Sequence, residues 1–124
     1  MLVSLIFVAV GGASGAVSRY LLVMLLTPTI TAPWATFSIN VLGCGVAGLV
    51  AGYFVESQWF QNEGRVLIMV GFLGGFTTFS AFSLDFFQLM ANQKITQAML
   101  YAAMSVLCTV IAFGVGYKLF EHHA

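Results

Sequence analysis

Four apolar stretches, at about residues 2–26, 34–55, 66–90 and 96–120, take up nearly the whole chain. Each reaches the roughly 20 residues that carry a helix across a bilayer, where every backbone polar group must be satisfied within the segment. Only 6% of the 124 residues are charged, against about 25% in soluble domains. That is too few to cover a water-facing surface, so a soluble enzyme is excluded. Residues 1–124 are expected to form a single transmembrane domain, all-α, with four transmembrane helices and no separate soluble part. Net charge is zero and no basic run occurs, which removes the electrostatic term that nucleic-acid binding needs. No Lys or Arg precedes the first apolar run, so that run is expected to be a retained helix rather than a secretory signal. Cys44 and Cys108 both lie in apolar stretches and supply neither a disulfide framework nor a metal-ligand spacing.

The connections are short: Thr27 to Pro33, then Glu56 to Arg65 as the one clearly polar loop, then a turn around Ala91 to Ile95. Tyr20, Trp34 and Trp59 fall near span ends, where amphipathic rings favour the headgroup level. Most of the 13 glycines lie inside the spans. Gly11 with Gly15, Gly48 with Gly52 and Gly71 with Gly75 each make a G-x-x-x-G pair, which lets two helix backbones approach closely. Tight packing accounts for the first two pairs. In the third span Gly74 and Gly75 stand beside Thr77 and Thr78, a combination of poor helix propensity, and a break is expected there. Non-helical backbone at membrane depth is tolerated only where it is buried in protein or lines a cavity, so such a break points to a functional site.

Polar residues inside apolar spans must find partners or serve function. Asn40 follows Thr36 by one turn in the second span, and Ser80 and Ser83 follow the glycines of the third. Tyr101, Ser105 and Thr109 recur every four residues in the fourth, which places three hydroxyls on one helix face. A single Ser or Thr usually bonds back to its own helix; a stripe of three is harder to explain that way. Phe72, Phe76, Phe79, Phe82 and Phe86 form an aromatic stripe whose default role is packing. Phe79 and Phe82 stand apart because the two serines accompany them, and an aromatic ring edge is electropositive. Arg19 and Asp85, toward the ends of their spans, are expected at vestibules or as an ion pair. No titratable carboxylate occupies a span centre. The mid-membrane chemistry is neutral and rich in donors, which suits a small anion or a polar neutral solute.

Taken together, Gly11-Gly12-Ala13-Ser14-Gly15-Ala16 with Arg19-Tyr20, then Asn40-Val41-Leu42-Gly43, then the long run from Gly71 to Phe82 resemble the Fluc (CrcB) family of small fluoride channels along essentially the whole chain. The resemblance implies a passive fluoride exporter of the bacterial cell inner membrane, built as an antiparallel dual-topology homodimer with two pores. It implies that Asn40, Phe79 and Phe82 line the fluoride pore, with Ser80 and Ser83 as nearby hydroxyls. Tyr101, Ser105 and Thr109 match the polar track of the fourth helix, although Thr109 stands where a serine is usual. Arg19 would lie at the vestibule. The backbone carbonyls of Gly74 and Thr77 would hold a structural sodium ion on the dimer axis.

Charge counting bears on topology independently. With four spans, Arg65 and Lys118 share one side and Arg19 and Lys94 the other. The bias that orients membrane proteins is therefore absent, and insertion in both directions is expected. The competing reading is a small dual-topology proton-coupled multidrug or guanidinium exporter, but such carriers need a buried glutamate in the first span and this span has none. A structural assembly protein would account for the glycines and leave the hydroxyl stripe unexplained.

Overall fold

The computed structural model describes residues 1–121. Four helices are long and apolar enough to cross a membrane: Leu2–Leu26, Ala32–Tyr53, Phe60–Ala91 and Ile95–Phe120. They are called the first to fourth helices below, and they make the chain a multi-pass membrane protein. The second opens two residues before the apolar pattern suggests. Pro33 sits in its first turn, where a missing N–H costs nothing, and the Trp34 and Ala35 N–H groups both reach the Thr31 carbonyl at 3.1 Å.

The third helix starts at Phe60 rather than near residue 66, so much of the expected polar loop is helical. Ser57 organises this end: its hydroxyl accepts the Phe60 N–H at 3.3 Å and its carbonyl the Gln61 N–H at 3.0 Å. Gln61, Asn62 and Glu63 are exposed, so the helix continues past the apolar stretch, and hydropathy registers only the apolar part. Phe60–Leu73 is wound as a π-helix, Gly74–Phe76 forms one α-helical turn, and Ser80–Ala91 is α-helical. Between the last two, Thr77 is extended, with φ −79° and ψ 154°. The turn into the fourth helix closes with Gln93 at φ 59°. Its N–H meets the Met90 carbonyl at 3.0 Å and the Lys94 N–H meets that of Leu89 at 2.9 Å, the pattern that ends many helices on a left-handed residue.

In lipid, helix association depends on close packing rather than on expulsion of water. Two pairs dominate, the first helix with the third and the second with the fourth. Glycines set both. A Cβ on Gly11 would strike the Leu67 carbonyl, and one on Gly15 that of Phe72. Gly71 lies so close to the first helix that its Cβ would come within 3.0 Å of Gly11 Cα, and that of Gly75 within 2.5 Å of the Gly12 carbonyl. Gly48 and Gly52 press on the Phe113 and Tyr117 carbonyls. All three G-x-x-x-G pairs therefore serve packing.

The third span changes partners along its length. Residues up to Phe76 pack on the first helix, whereas Ser80–Ala91 packs on the second and fourth. This transfer across Thr77–Phe79 brings Phe79, Phe82 and Asp85 to the helix pair that carries Asn40 and the hydroxyl stripe.

Candidate functional site

Asn40 holds the link between the two helical parts of the third span. Its Nδ2 donates to the Thr78 carbonyl and its Oδ1 accepts the Thr78 N–H, both at 2.8 Å. One amide hydrogen is left over, since a carboxamide carries two. The Thr78 hydroxyl accepts the Ala81 N–H at 3.0 Å and lies 3.2 Å from the Ser80 hydroxyl, so it caps the helix that begins at Ser80. A second consequence follows for Gly74. The N–H four residues after it belongs to Thr78 and is taken by Asn40, which leaves the Gly74 carbonyl without its helical donor. Gly74 is exposed, and the extended Thr77 turns its carbonyl out of the helical direction.

Beside this link lies a cavity of about 230 Å³, lined among others by Asn40, Phe79, Phe82, Ser105 and Thr109. None of its lining side chains is charged. With Thr77, which also lines it, the structure thus brings together six of the site residues expected from sequence, from three different helices. Ser80, Ser83, Tyr101 and Arg19 are not among its walls.

The hydroxyls differ in what they have free. The Thr109 hydroxyl donates to its own helix at the Ser105 carbonyl, at 2.6 Å, and that of Ser83 to the Phe79 carbonyl at 3.0 Å. Thr77 does the same to Leu73 at 2.8 Å. Ser105 is the exception: only 7% exposed, its Oγ has no hydrogen-bond partner. A buried hydroxyl without a partner costs about 1–3 kcal/mol, and the Ser105 oxygen is closed off from the cavity space as well.

The rings add a second feature. Phe79 and Phe82 have centroids 5.1 Å apart, tilted by 45°. Phe82 also stacks on Tyr101, at 5.1 Å and 27°. One face of Phe82 is thereby covered, and a ring so held offers its electropositive edge to what lies alongside.

Tyr101 continues the stripe into a larger cavity of about 540 Å³, which reaches Thr31, Asn92 and Lys94 at the helix ends. Its hydroxyl donates to Asp85 Oδ2 at 3.0 Å, with the two residues 1% and 6% exposed. Arg19 lines a third cavity, of about 240 Å³, with Thr36 and Thr78. Arg19 and Asp85 therefore face different spaces, and the partner of Asp85 is Tyr101 rather than Arg19. Reading polar residues by span overlooked this pair. Sequence reasoning also passed over Cys44, which lines the 230 Å³ cavity; its position four residues after Asn40 put it on the same helix face. Among the described residues no three His, Cys, Asp or Glu side chains converge as a metal site. A cation here would rely on neutral oxygens, and the carbonyls at Gly74 and Thr77 are of that kind.

Four apolar helices, three of them lining an uncharged cavity with an amide and hydroxyls in its wall, define a small multi-pass membrane protein. Residues 6–117 match the family described as CrcB-like protein, Camphor Resistance (CrcB). A fluoride-specific ion channel FluC from Hahella chejuensis is 45% identical over 117 residues, covering 93% of this chain and 92% of that one. The FluC of Novosphingobium aromaticivorans is 42% identical, with 91% and 92% covered, and that of Rhizobium etli 40%, with 95% and 96% covered. This chain belongs to the CrcB family.

Proposed function

We propose that this chain is a fluoride channel, not an enzyme, and that it lets fluoride leave the cell passively across the bacterial inner membrane. The observation that carries the reading is the uncharged cavity joining Asn40, Phe79, Phe82, Ser105 and Thr109 in a chain whose relatives are named fluoride-specific ion channels. Fluoride is small and a strong hydrogen-bond acceptor. The second Asn40 N–H, the Phe79 and Phe82 edges and, once its side chain turns toward the cavity, the unpartnered Ser105 hydroxyl replace part of its water shell. Larger halides gain less from so narrow a set of donors, and with no charged side chain in the wall the ion is released. Ser80, Ser83 and Tyr101 stand behind this wall, through Thr78, Phe79 and Phe82 respectively, and Arg19 lines a neighbouring cavity that also reaches Thr78. A proton-coupled exporter is not favoured, because neither the first helix nor the cavity holds a carboxylate to exchange protons.

The working unit is an antiparallel homodimer. Phe79 is 74% exposed in the single chain, which suits a ring that meets a second copy, and the even Lys and Arg distribution favours insertion both ways. A structural sodium ion belongs to this reading. It is held by the Gly74 and Thr77 carbonyls of both copies, since unwound backbone at membrane depth commonly coordinates sodium. It would neutralise otherwise unsatisfied acceptors at the twofold axis.

The deciding experiment is fluoride efflux from liposomes containing the purified protein, read with a fluoride electrode. Electrogenic efflux that proceeds once a potassium ionophore carries the compensating charge, and that chloride does not share, is the expected result. Absence of fluoride flux from folded, reconstituted protein would overturn the reading, and proton-coupled cation exchange would favour the exporter instead.

A further inference from the structure

Arg19 carries a charge that nothing in the chain neutralises. It is half-buried in the last third of the first helix and takes part in no ion pair or hydrogen bond among the described residues. Of the four side-chain carboxylates, Glu56 follows the second helix, Glu63 lies at the start of the third and Glu121 follows the fourth, so all three stand at the opposite membrane face. Asp85, the fourth, accepts the Tyr101 hydroxyl and lines a different cavity. Leu2–Leu26 is about 37 Å long against a hydrocarbon layer of about 30 Å, which sets Arg19 about 7 Å below its boundary when the helix is centred. From that depth an arginine snorkels, carrying its guanidinium to the level of the lipid phosphates. The 240 Å³ cavity that Arg19 lines runs between the first and second helices, with Tyr20 also in its wall. Tyr20 is 64% exposed and continues a stripe of Val17, Leu21 and Met24, each more than half exposed on the same helix face.

We propose that this cavity is a lipid site, in which Arg19 is the counter-ion for the phosphodiester of an anionic membrane lipid and the Val17–Met24 stripe lies against its acyl chains. The charges are complementary: a lone cation on this chain meets the one group at that depth that is anionic and abundant. A phosphodiester offers two unesterified oxygens, which fit two parallel N–H groups of a guanidinium. The Tyr20 hydroxyl is a further donor at headgroup level. Thr78 lines both this cavity and the 230 Å³ one, so a lipid seated here backs the link that Asn40 holds.

The test offers the full-length purified protein equal amounts of phosphatidylglycerol and phosphatidylcholine with matched chains, and reads the retained lipid by native mass spectrometry. One basic side chain beside an anionic headgroup is worth about fivefold in occupancy, and the parent should prefer phosphatidylglycerol by about that factor. Arg19→Gln should lose the preference. Arg19→Lys, a point charge without the fork, should keep part of it, while Lys94→Gln and Arg65→Gln should match the parent. Phosphatidylglycerol with a photoreactive headgroup should cross-link to the walls of this cavity in the unsubstituted protein, so the site is located without relying on a variant that folds. No preference in the parent, a preference that survives Arg19→Gln, or cross-links confined to other surfaces would each overturn the proposal. Displacement of the lipid by millimolar inorganic phosphate would overturn it too, since the site would then take any oxyanion and have no hold on acyl chains. Fluoride efflux is no part of the readout, so the channel reading stands or falls separately.

Discussion

Gly114 and Gly116 lie two residues apart on the fourth helix, and replacing each by alanine separates backbone propensity from interhelical packing. A Cβ on Gly116 would stand 2.6 Å from the Gly45 carbonyl oxygen and 2.8 Å from the Leu49 nitrogen, whereas one on Gly114 meets nothing within 4 Å. Both changes gain the same helix propensity, about 1 kcal/mol. In Gly116→Ala the obstructing atoms are backbone and cannot rotate aside. The second and fourth helices must part by about 0.8 Å to reach ordinary contact near 3.4 Å, and such overpacking costs about 1–3 kcal/mol. Gly114→Ala should therefore be as stable as the parent or up to about 1 kcal/mol more stable, with Gly116→Ala below it by about 1–3 kcal/mol. Reversible unfolding in mixed micelles, followed by circular dichroism over a range of dodecyl sulfate fractions, measures the difference. The same displacement spreads the wall between Asn40 and Ser105, so efflux should fall in Gly116→Ala and hold in Gly114→Ala. Equal shifts in stability for the two variants would refute the packing argument.

Phe79→Ile and Phe82→Ile should fold and assemble yet lose at least tenfold of fluoride efflux, because isoleucine fills the space without a polarised edge; parental efflux in both would remove the ring-edge role. Asn40→Asp keeps an acceptor for the Thr78 N–H but loses the donor to the Thr78 carbonyl, a loss of about 1–3 kcal/mol, and sets a negative charge beside the path. Its efflux should be nearly abolished, and normal electrode traces from the purified variant would show that Asn40 does not line the route. Exchanging sodium for a large organic cation throughout purification should weaken activity or the dimer. Unchanged efflux and unchanged dimer in light scattering would count against the carbonyl site. Adding two or three lysines at the C-terminus should drive most copies to one orientation and lower activity, with an oppositely biased copy restoring it. Reporter fusions showing a single orientation in the parent would defeat the dual-topology reading.

The spans were legible because lipid imposes one rule on every residue in them, and the first helix runs over the residues its apolar stretch marks. The start of the third was not, because a helix can continue into water on polar residues such as Gln61 and Glu63 that hydropathy reads as loop. Glycine pairs showed where backbones touch, but not that Gly71 and Gly75 would meet Gly11 and Gly12. Asn40, Ser105 and Thr109 were visible as polar groups in apolar surroundings. What each does with its hydrogens was not, because the partners of Asn40 lie 38 residues away, at Thr78. The Asp85–Tyr101 bond is likewise a product of the third span's change of partner after Thr77, which no local pattern encodes.

That division of hydrogens bears on how a donor-lined path releases its ion. If every hydroxyl on the stripe pointed at the cavity, an anion would be held too firmly to move on. Thr109 instead rests on the Ser105 carbonyl, and turning it toward a guest exchanges one hydrogen bond for another. The net value of such a bond is about 0.5–1.5 kcal/mol, roughly a two- to twelvefold change in occupancy. On the proposed route the Asn40 N–H not given to Thr78 would provide the first hold, with Thr109 joining only while an ion is beside it. Few fixed donors and one reversible one give binding strong enough to strip water and weak enough to let go, which is the balance conduction requires.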